Sequence, residues 1–249
     1  MYKINRICAF SLMITLVIIY GCSNNNSKYQ SAAQYTIKIE KIVPSNFDLS
    51  KISNFHSMIP LETTDESLIG QIEKISILDS IIVIWDSKTR NVLIFDLDGH
   101  YKHKIAGTGV SKQEYVRIND IHTNNNTIYL LDIGTKRILE YDVNNNFINS
   151  NNLDCFLYSF LPVDEGYWGI SYYSNKERYN LVLLNKEKNE IVKGYFQCEN
   201  NLPIRPCNNF VTNDITKESF FYYPYNDTIY RIENNEIKPF IHIDFGNKK

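Results

Sequence analysis

Apolar and polar positions alternate along most of this chain in short runs separated by turns, and one arrangement is written twice. ISILDSIIVIWDSKTRNVLIFDLDGHYKHKI, from Ile75 to Ile105, has an apolar run ending in Asp86 and a turn with Lys88 and Arg90. A second apolar run then ends in Asp96, and a turn leads into a strand headed by Tyr101. NTIYLLDIGTKRILEYDVNNNFI, from Asn126 to Ile148, repeats the plan with Asp132, Lys136 and Arg137, Asp142 and Phe147. The spacing from Asp86 to Asp132 is 46 residues. A repeat of antiparallel strands at that period predicts a solenoid or a propeller.

Four units follow this rhythm: about Gln71–Ile105, Val116–Asn152, Cys155–Gln197 and Asn208–Phe245. Ile81 to Trp85 is apolar at every position, as expected of a strand sandwiched between sheets. Asp98-Gly99 reads as a hairpin turn, and the asparagines at 124–126 and 144–146 read as turns because Asn tolerates a left-handed backbone. Gly166 marks another turn. Ahead of the units, Tyr35–Ile42 predicts a strand, Pro44–Ser53 a loop and His56–Leu61 a short second strand. Either strand is placed to complete the sheet made by the end of the chain. No apolar stripe holds a 3.6-residue period for three turns, so no helix is expected beyond the N-terminal segment.

That segment changes the picture of where the chain resides. Lys3 and Arg6 precede an apolar run, Ile7–Tyr20, that is too short to span a bilayer comfortably and ends at Gly21-Cys22. The pattern resembles the lipobox of a bacterial lipoprotein, which implies cleavage before Cys22 and acylation of that cysteine. Residues 1–21 are then a signal peptide, 22–34 a flexible tether and 35–249 the propeller domain. Without Lys3 and Arg6 the chain keeps 24 basic residues against 28 acidic ones, a net charge of −4 with no basic stripe for nucleic acid. Beyond Cys22 the cysteines are Cys155, Cys198 and Cys207. A Cys198–Cys207 disulfide and three buried thiols are both compatible with an exported chain.

The segments MIPLETTDESLIGQIEKI, the loop GTG with Glu114-Tyr115 and Asp120, and NDTIYRI followed by FIHIDFG resemble the six-bladed, NHL-like β-propeller lipoproteins of gut bacteria. The resemblance runs from about Ile59 to Gly246. In place of that family's Gly-Pro before Glu-Tyr, this chain has Ser111-Lys112-Gln113. The resemblance implies an all-β fold, a β-propeller of four-stranded antiparallel blades, with about four complete blades present. Six blades at a 46-residue spacing need roughly 276 residues, so a truncated member with an incomplete ring is expected. A four-bladed ring is the alternative.

Glu114, Tyr115, Arg117 and Asp120 form the best candidate cluster, either a binding patch on a loop face or a tie between blades. Asp96-Leu97-Asp98-Gly99 hints at a calcium loop, but His100, Lys102, His103 and Lys104 follow where oxygen ligands are needed, so no metal is expected. Gly-x-Ser-x-Gly, HExxH and phosphate-cradling glycine loops are absent from the sequence, leaving no catalytic residues and no cofactor to nominate. The expected function is non-enzymatic binding or scaffolding in the bacterial cell envelope. The lipid anchor would place it on the outer membrane, facing the periplasm or the cell surface. An envelope protein, a peptide or a polysaccharide is the expected ligand. The rivals are a lactonase- or lyase-type propeller enzyme with a metal in its central channel, and a non-functional truncated copy.

Overall fold

The alternating pattern becomes strand after strand, with no helix among the described residues. The computed structural model describes residues 33–40, 58–78, 80–197, 209–213, 216–224 and 226–246. The leader with Cys22, nearly all of the tether, the loop at Pro44–Ser53, His56, Cys198 and Cys207 lie outside the described residues. The chain divides into two units, Val43–Thr212 and Met1–Ile42 with Asn213–Lys249. The fold class is the β-propeller, and each unit is built of blade-type sheets.

In the larger unit three four-stranded antiparallel blades follow one another. The first is β2 (Ile72–Ile77), β3 (Ile81–Asp86), β4 (Asn91–Asp96) and β5 (Tyr101–Ile105). The second is β6 (Ile118–Asn124), β7 (Thr127–Asp132), β8 (Arg137–Asp142) and β9 (Phe147–Asn152). The third is β10 (Ser159–Val163), β11 (Gly166–Ile170), β12 (Leu181–Asn185) and β13 (Ile191–Tyr195), and β14 (Phe210–Thr212) ends the unit. Successive blades pack face to face. Val83, Trp85, Val92 and Ile94 of the first blade meet Ile128, Leu130, Leu139 and Tyr141 of the second. Leu131 and Ile138, on the second blade's other face, meet Phe160, Val182 and Leu184 of the third. This is why Ile81–Trp85 is apolar at every position: all six residues of β3 are buried. Each such side chain contributes about 1.5–3 kcal/mol on leaving water.

The repeated aspartates do the same work in both blades. Asp86 accepts the backbone N–H groups of Gly70 (2.6 Å), Gln71 (2.9 Å), Lys88 (2.9 Å) and Thr89 (3.2 Å). Asp132 accepts those of Val116 (3.1 Å), Arg117 (2.8 Å) and Gly134 (3.0 Å), and the hydroxyl of Thr135 (2.5 Å). Every one of these partners lies 46 residues from its counterpart. Asp96 and Asp142 likewise close the next turns on the N–H groups of Asp98 and His100, and of Asn144 and Asn146. The turn residues behave as their chemistry requires: Gly99 has φ 90° and Asn145 φ 68°. A Cβ at Gly99 would also lie 2.1 Å from the Pro60 carbonyl oxygen.

The expected strand His56–Leu61 does not appear in its described part. Met58–Leu61 is irregular, and its neighbourhood is used as a cover instead: Leu61 and Ile69 pack on Ile82, Ile84, Leu93 and Phe95 on the first blade's outer face. Glu62 fixes the cover, its N–H donating to the Gly99 carbonyl (2.8 Å) and its carboxylate accepting the Tyr101 N–H (2.8 Å).

In the smaller unit β15 (Ser219–Tyr222), β16 (Thr228–Glu233) and β17 (Glu236–Asp244) run antiparallel. β1 (Tyr35–Lys38) joins β17 in parallel, from Tyr35 opposite Ile241 to Lys38 opposite Asp244. The early strand therefore completes the sheet made by the end of the chain, and it runs four residues where eight were expected.

Candidate functional site

The first strands of the three blades, β2, β6 and β10, lie beside one another in the larger unit, and one register position on them carries Lys74, Asp120 and Ser159. β-bulges between Ile72 and Lys74 and between Ile118 and Asp120, again 46 residues apart, turn the first two side chains into the junction. There the Lys74 ammonium donates to Asp120 Oδ1 at 2.6 Å. Asp120 Oδ2 accepts the Ser159 hydroxyl (2.9 Å) and the Phe160 N–H (3.2 Å). His122 lies two residues along β6, with its Nε2 3.0 Å from Lys74 Nζ. An ammonium has no acceptor, so His122 accepts at Nε2 and carries its own proton on Nδ1. One carboxylate thus joins three blades.

Charge balance follows from this geometry. Burial works against ionisation of Asp120, but the Lys74 ammonium outweighs it and holds the carboxyl well below its ordinary range. Burial lowers the His122 pKa, and Lys74 adds to the effect against the pull of Asp120, so the imidazole is neutral near pH 7. A metal ion held by Asp120 and His122 would have to displace the Lys74 cation that both already face. The sequence carried a signal for the pair, since the 46-residue period that aligns Asp86 with Asp132 also aligns Lys74 with Asp120.

The four residues nominated from sequence do not form one patch. Asp120 belongs to the network just described. Tyr115 is 1% exposed, and its hydroxyl faces the carbonyls of Arg90 (2.7 Å) and Ile105 (2.9 Å), pinning the connecting strap to the first blade. The Glu114 carboxylate accepts the Ser111 N–H (3.1 Å), and its carbonyl receives the Arg137 guanidinium (2.9 Å). Arg117 donates its N–H to Asp132 and leaves its side chain exposed. Glu114 and Tyr115 therefore tie blade to blade. Removing the hydroxyl in Tyr115→Phe is expected to cost about 1–3 kcal/mol, with a smaller loss for Glu114→Ala. Urea midpoints check this, and unchanged midpoints in both variants would return the pair to the surface.

Two other groups invite a chemical reading. Ligand atoms of Asp96, Asp98 and His100 lie within 4.8 Å of one another, but Asp96 is already the acceptor that closes its own hairpin, with Lys102 at 3.6 Å. Cys155 is a buried free thiol, and burial pushes it up to about 11, so it stays protonated and is a poor nucleophile.

No curated protein matches this chain in sequence. Among solved structures, a Bacteroides fragilis protein described as exported aligns at 23% identity and a TM-score of 0.65, covering 76% of this chain and 55% of that one. A DUF4221 family member from Bacteroides vulgatus aligns at 9% identity and a TM-score of 0.48, covering 73% and 60%. Virginiamycin B lyase from Staphylococcus aureus aligns at 15% and 0.43, covering 70% and 55%. The first of these shows a shared fold, and the other two are too dissimilar to carry an argument. The chain spans little more than half the length of the structures it matches. A sequence-family profile covers residues 34–249, and the chain belongs to the family it defines, the Domain of unknown function DUF4934.

Proposed function

We propose that this chain is a lipid-anchored β-propeller of the cell envelope, akin to the NHL-like lipoproteins of gut bacteria, and that it works by binding. The observation that carries the reading is the Lys74–Asp120–His122–Ser159 network. Its ionisable groups neutralise one another across three blades and leave no free base, nucleophile or metal ligand. Such a network stiffens a scaffold whose loops present a preorganised surface. An envelope protein, a peptide or a polysaccharide fits such a surface. The description of the Bacteroides fragilis protein of like fold as exported supports an extracytoplasmic address.

Calorimetric titration of residues 23–249 with envelope polysaccharides and peptides tests the binding half. Saturable heats without product formation are expected. Turnover of a lactone or elimination substrate, abolished by a folded Asp120→Asn variant, would overturn the reading. The address is tested by expressing Cys22→Ser in a Gram-negative host. The protein should move from the membrane to the soluble fraction, and identical fractionation of the two forms would exclude the anchor.

A further inference from the structure

Each blade of the larger unit has two faces, and the 46-residue period shows which face seats on which. On the second blade Ile121, Ile128, Leu130, Leu139 and Tyr141 all lie in the core shared with the first blade. Their counterparts 46 residues earlier are Ile75, Ile82, Ile84, Leu93 and Phe95. The ladders put these on one face too, with Ile75 opposite Ile84, Ile84 opposite Leu93 and Ile77 opposite Ile82. The first blade's outer face is therefore the kind of face that, one blade later, seats on a neighbour. Leu61 and Ile69 cover it over β3 and β4, but β2 is left open. Ile75 is 51% exposed and Ile77 59%, whereas Ile121 is fully buried.

The sheet of the smaller unit shows the opposite half of the same contact. Phe221, Thr228 and Tyr230 share one face and are buried. The other face carries Tyr222, Ile229, Ile241 and Tyr35 in one row across the strands, and Phe220 beside Arg231 in the next. Phe240 stands among them, its ring 5.2 Å from that of Phe220, 5.3 Å from that of Tyr35 and 5.1 Å from the Arg231 guanidinium carbon. Tyr35 is 53% exposed and Ile37 48%. Hydrogen bonding identifies this face. The Ile243 N–H donates to the Asp227 carbonyl (2.8 Å) as the Leu153 N–H does to that of Lys136 (2.9 Å), so Ile229 stands where Ile138 stands in the second blade. Ile138 packs against the third blade. The open face of the smaller sheet is thus of the kind that receives a following blade. Single apolar residues on a surface are ordinary, but a continuous row of them marks an interface.

We propose that this chain associates head to tail with a second copy of itself. The face of β15, β16, β17 and β1 that bears Phe220, Phe240 and Tyr35 on one copy seats on the first-blade face that bears Ile75 and Ile77 on the other, repeating the contact by which the second blade seats on the first. The occupant follows from the register: each open face is one half of a blade-on-blade contact, and every copy carries both halves. Such a contact is heterologous, so two copies close it reciprocally or further copies extend it. The inference goes beyond the binding reading above and does not rest on it.

Sedimentation velocity on residues 23–249 tests it. The weight-average mass is expected to rise with concentration through the micromolar range, from one copy to two or more. Two double variants open the contact from either side: Ile75→Lys with Ile77→Lys, and Tyr35→Lys with Ile37→Lys. All four positions are exposed, so each variant should keep the parent's far-UV spectrum and lose self-association by about tenfold or more. Mixed together, the two variants should form a one-to-one pair, because each retains the face that the other lacks. Their added charges are alike and cannot create that pairing. A parent protein that stays a single copy up to millimolar concentration would overturn the proposal. So would undiminished association of either double variant, or a mixture that stays unpaired. If a double variant does not fold, Ile77→Lys or Ile37→Lys alone takes its place.

Discussion

Asp120→Ala is expected to lower the stability of residues 23–249 by about 3–5 kcal/mol, because it removes a buried carboxylate and leaves the half-buried Lys74 ammonium without its counter-charge. The Ser159 hydroxyl and the Phe160 N–H lose their acceptor at the same time. Asp120→Asn should cost less, since an amide oxygen still accepts from the third blade. Urea unfolding measures both, and a loss under 1 kcal/mol for the alanine variant would show that the three strands do not depend on this carboxylate. The pH dependence carries two signs to check. Asp120 has a depressed pKa in the fold, so its contribution is complete above the unfolded value near 3.9 and disappears as pH falls through the lower folded value. His122 is also depressed, so stability should begin to fall as pH drops below about 6.5, where the unfolded chain takes up a proton that the fold resists. Burial lowers His103 in the same direction, so the difference between the parent protein and His122→Gln isolates the His122 share. A flat difference between pH 8 and 5 would remove His122 from the account.

Asp132→Ala should cost a similar amount, about 3–5 kcal/mol, by a different route. The carboxylate is fully buried and holds three backbone N–H groups and the Thr135 hydroxyl, with the Arg137 guanidinium at 3.8 Å. Alanine leaves all of these without their acceptor at the point where the strap enters the second blade. Asp86→Ala is the matching experiment one blade earlier, and it orphans four backbone N–H groups. The two aspartates share no hydrogen-bond partner, so the double variant should lose close to the sum of the single losses. A strongly non-additive double variant would contradict the picture of two separate clamps.

The aspartate repeat also marks how far the sequence could be read. Strand positions, the buried β3, the asparagine and glycine turns and the blade period follow from local rules: alternation of apolar residues, and turn types that few residues tolerate. These act over a handful of residues, so they are legible in a linear string. The 46-residue period even contained the pairing of Lys74 with Asp120, but two polar residues at equal phase show an ion pair only when neighbouring blades stack. The group of Glu114, Tyr115, Arg117 and Asp120 misled for the complementary reason. Residues close in sequence part when the strap ends and β6 begins, and Asp120 then answers to β2 and β10. Met58–Leu61, the described part of the expected strand His56–Leu61, instead lies in the cover on the first blade's outer face, because neither an apolar face needing cover nor a free ladder edge is visible in sequence. Asn180 is the extreme case: it is fully buried with neither Oδ1 nor Nδ2 paired, and no local pattern announces that burial. What a residue and its near neighbours prefer was determined by the sequence alone; which distant groups satisfy a buried charge or leave an amide unpaired was decided by the packing of one blade on the next.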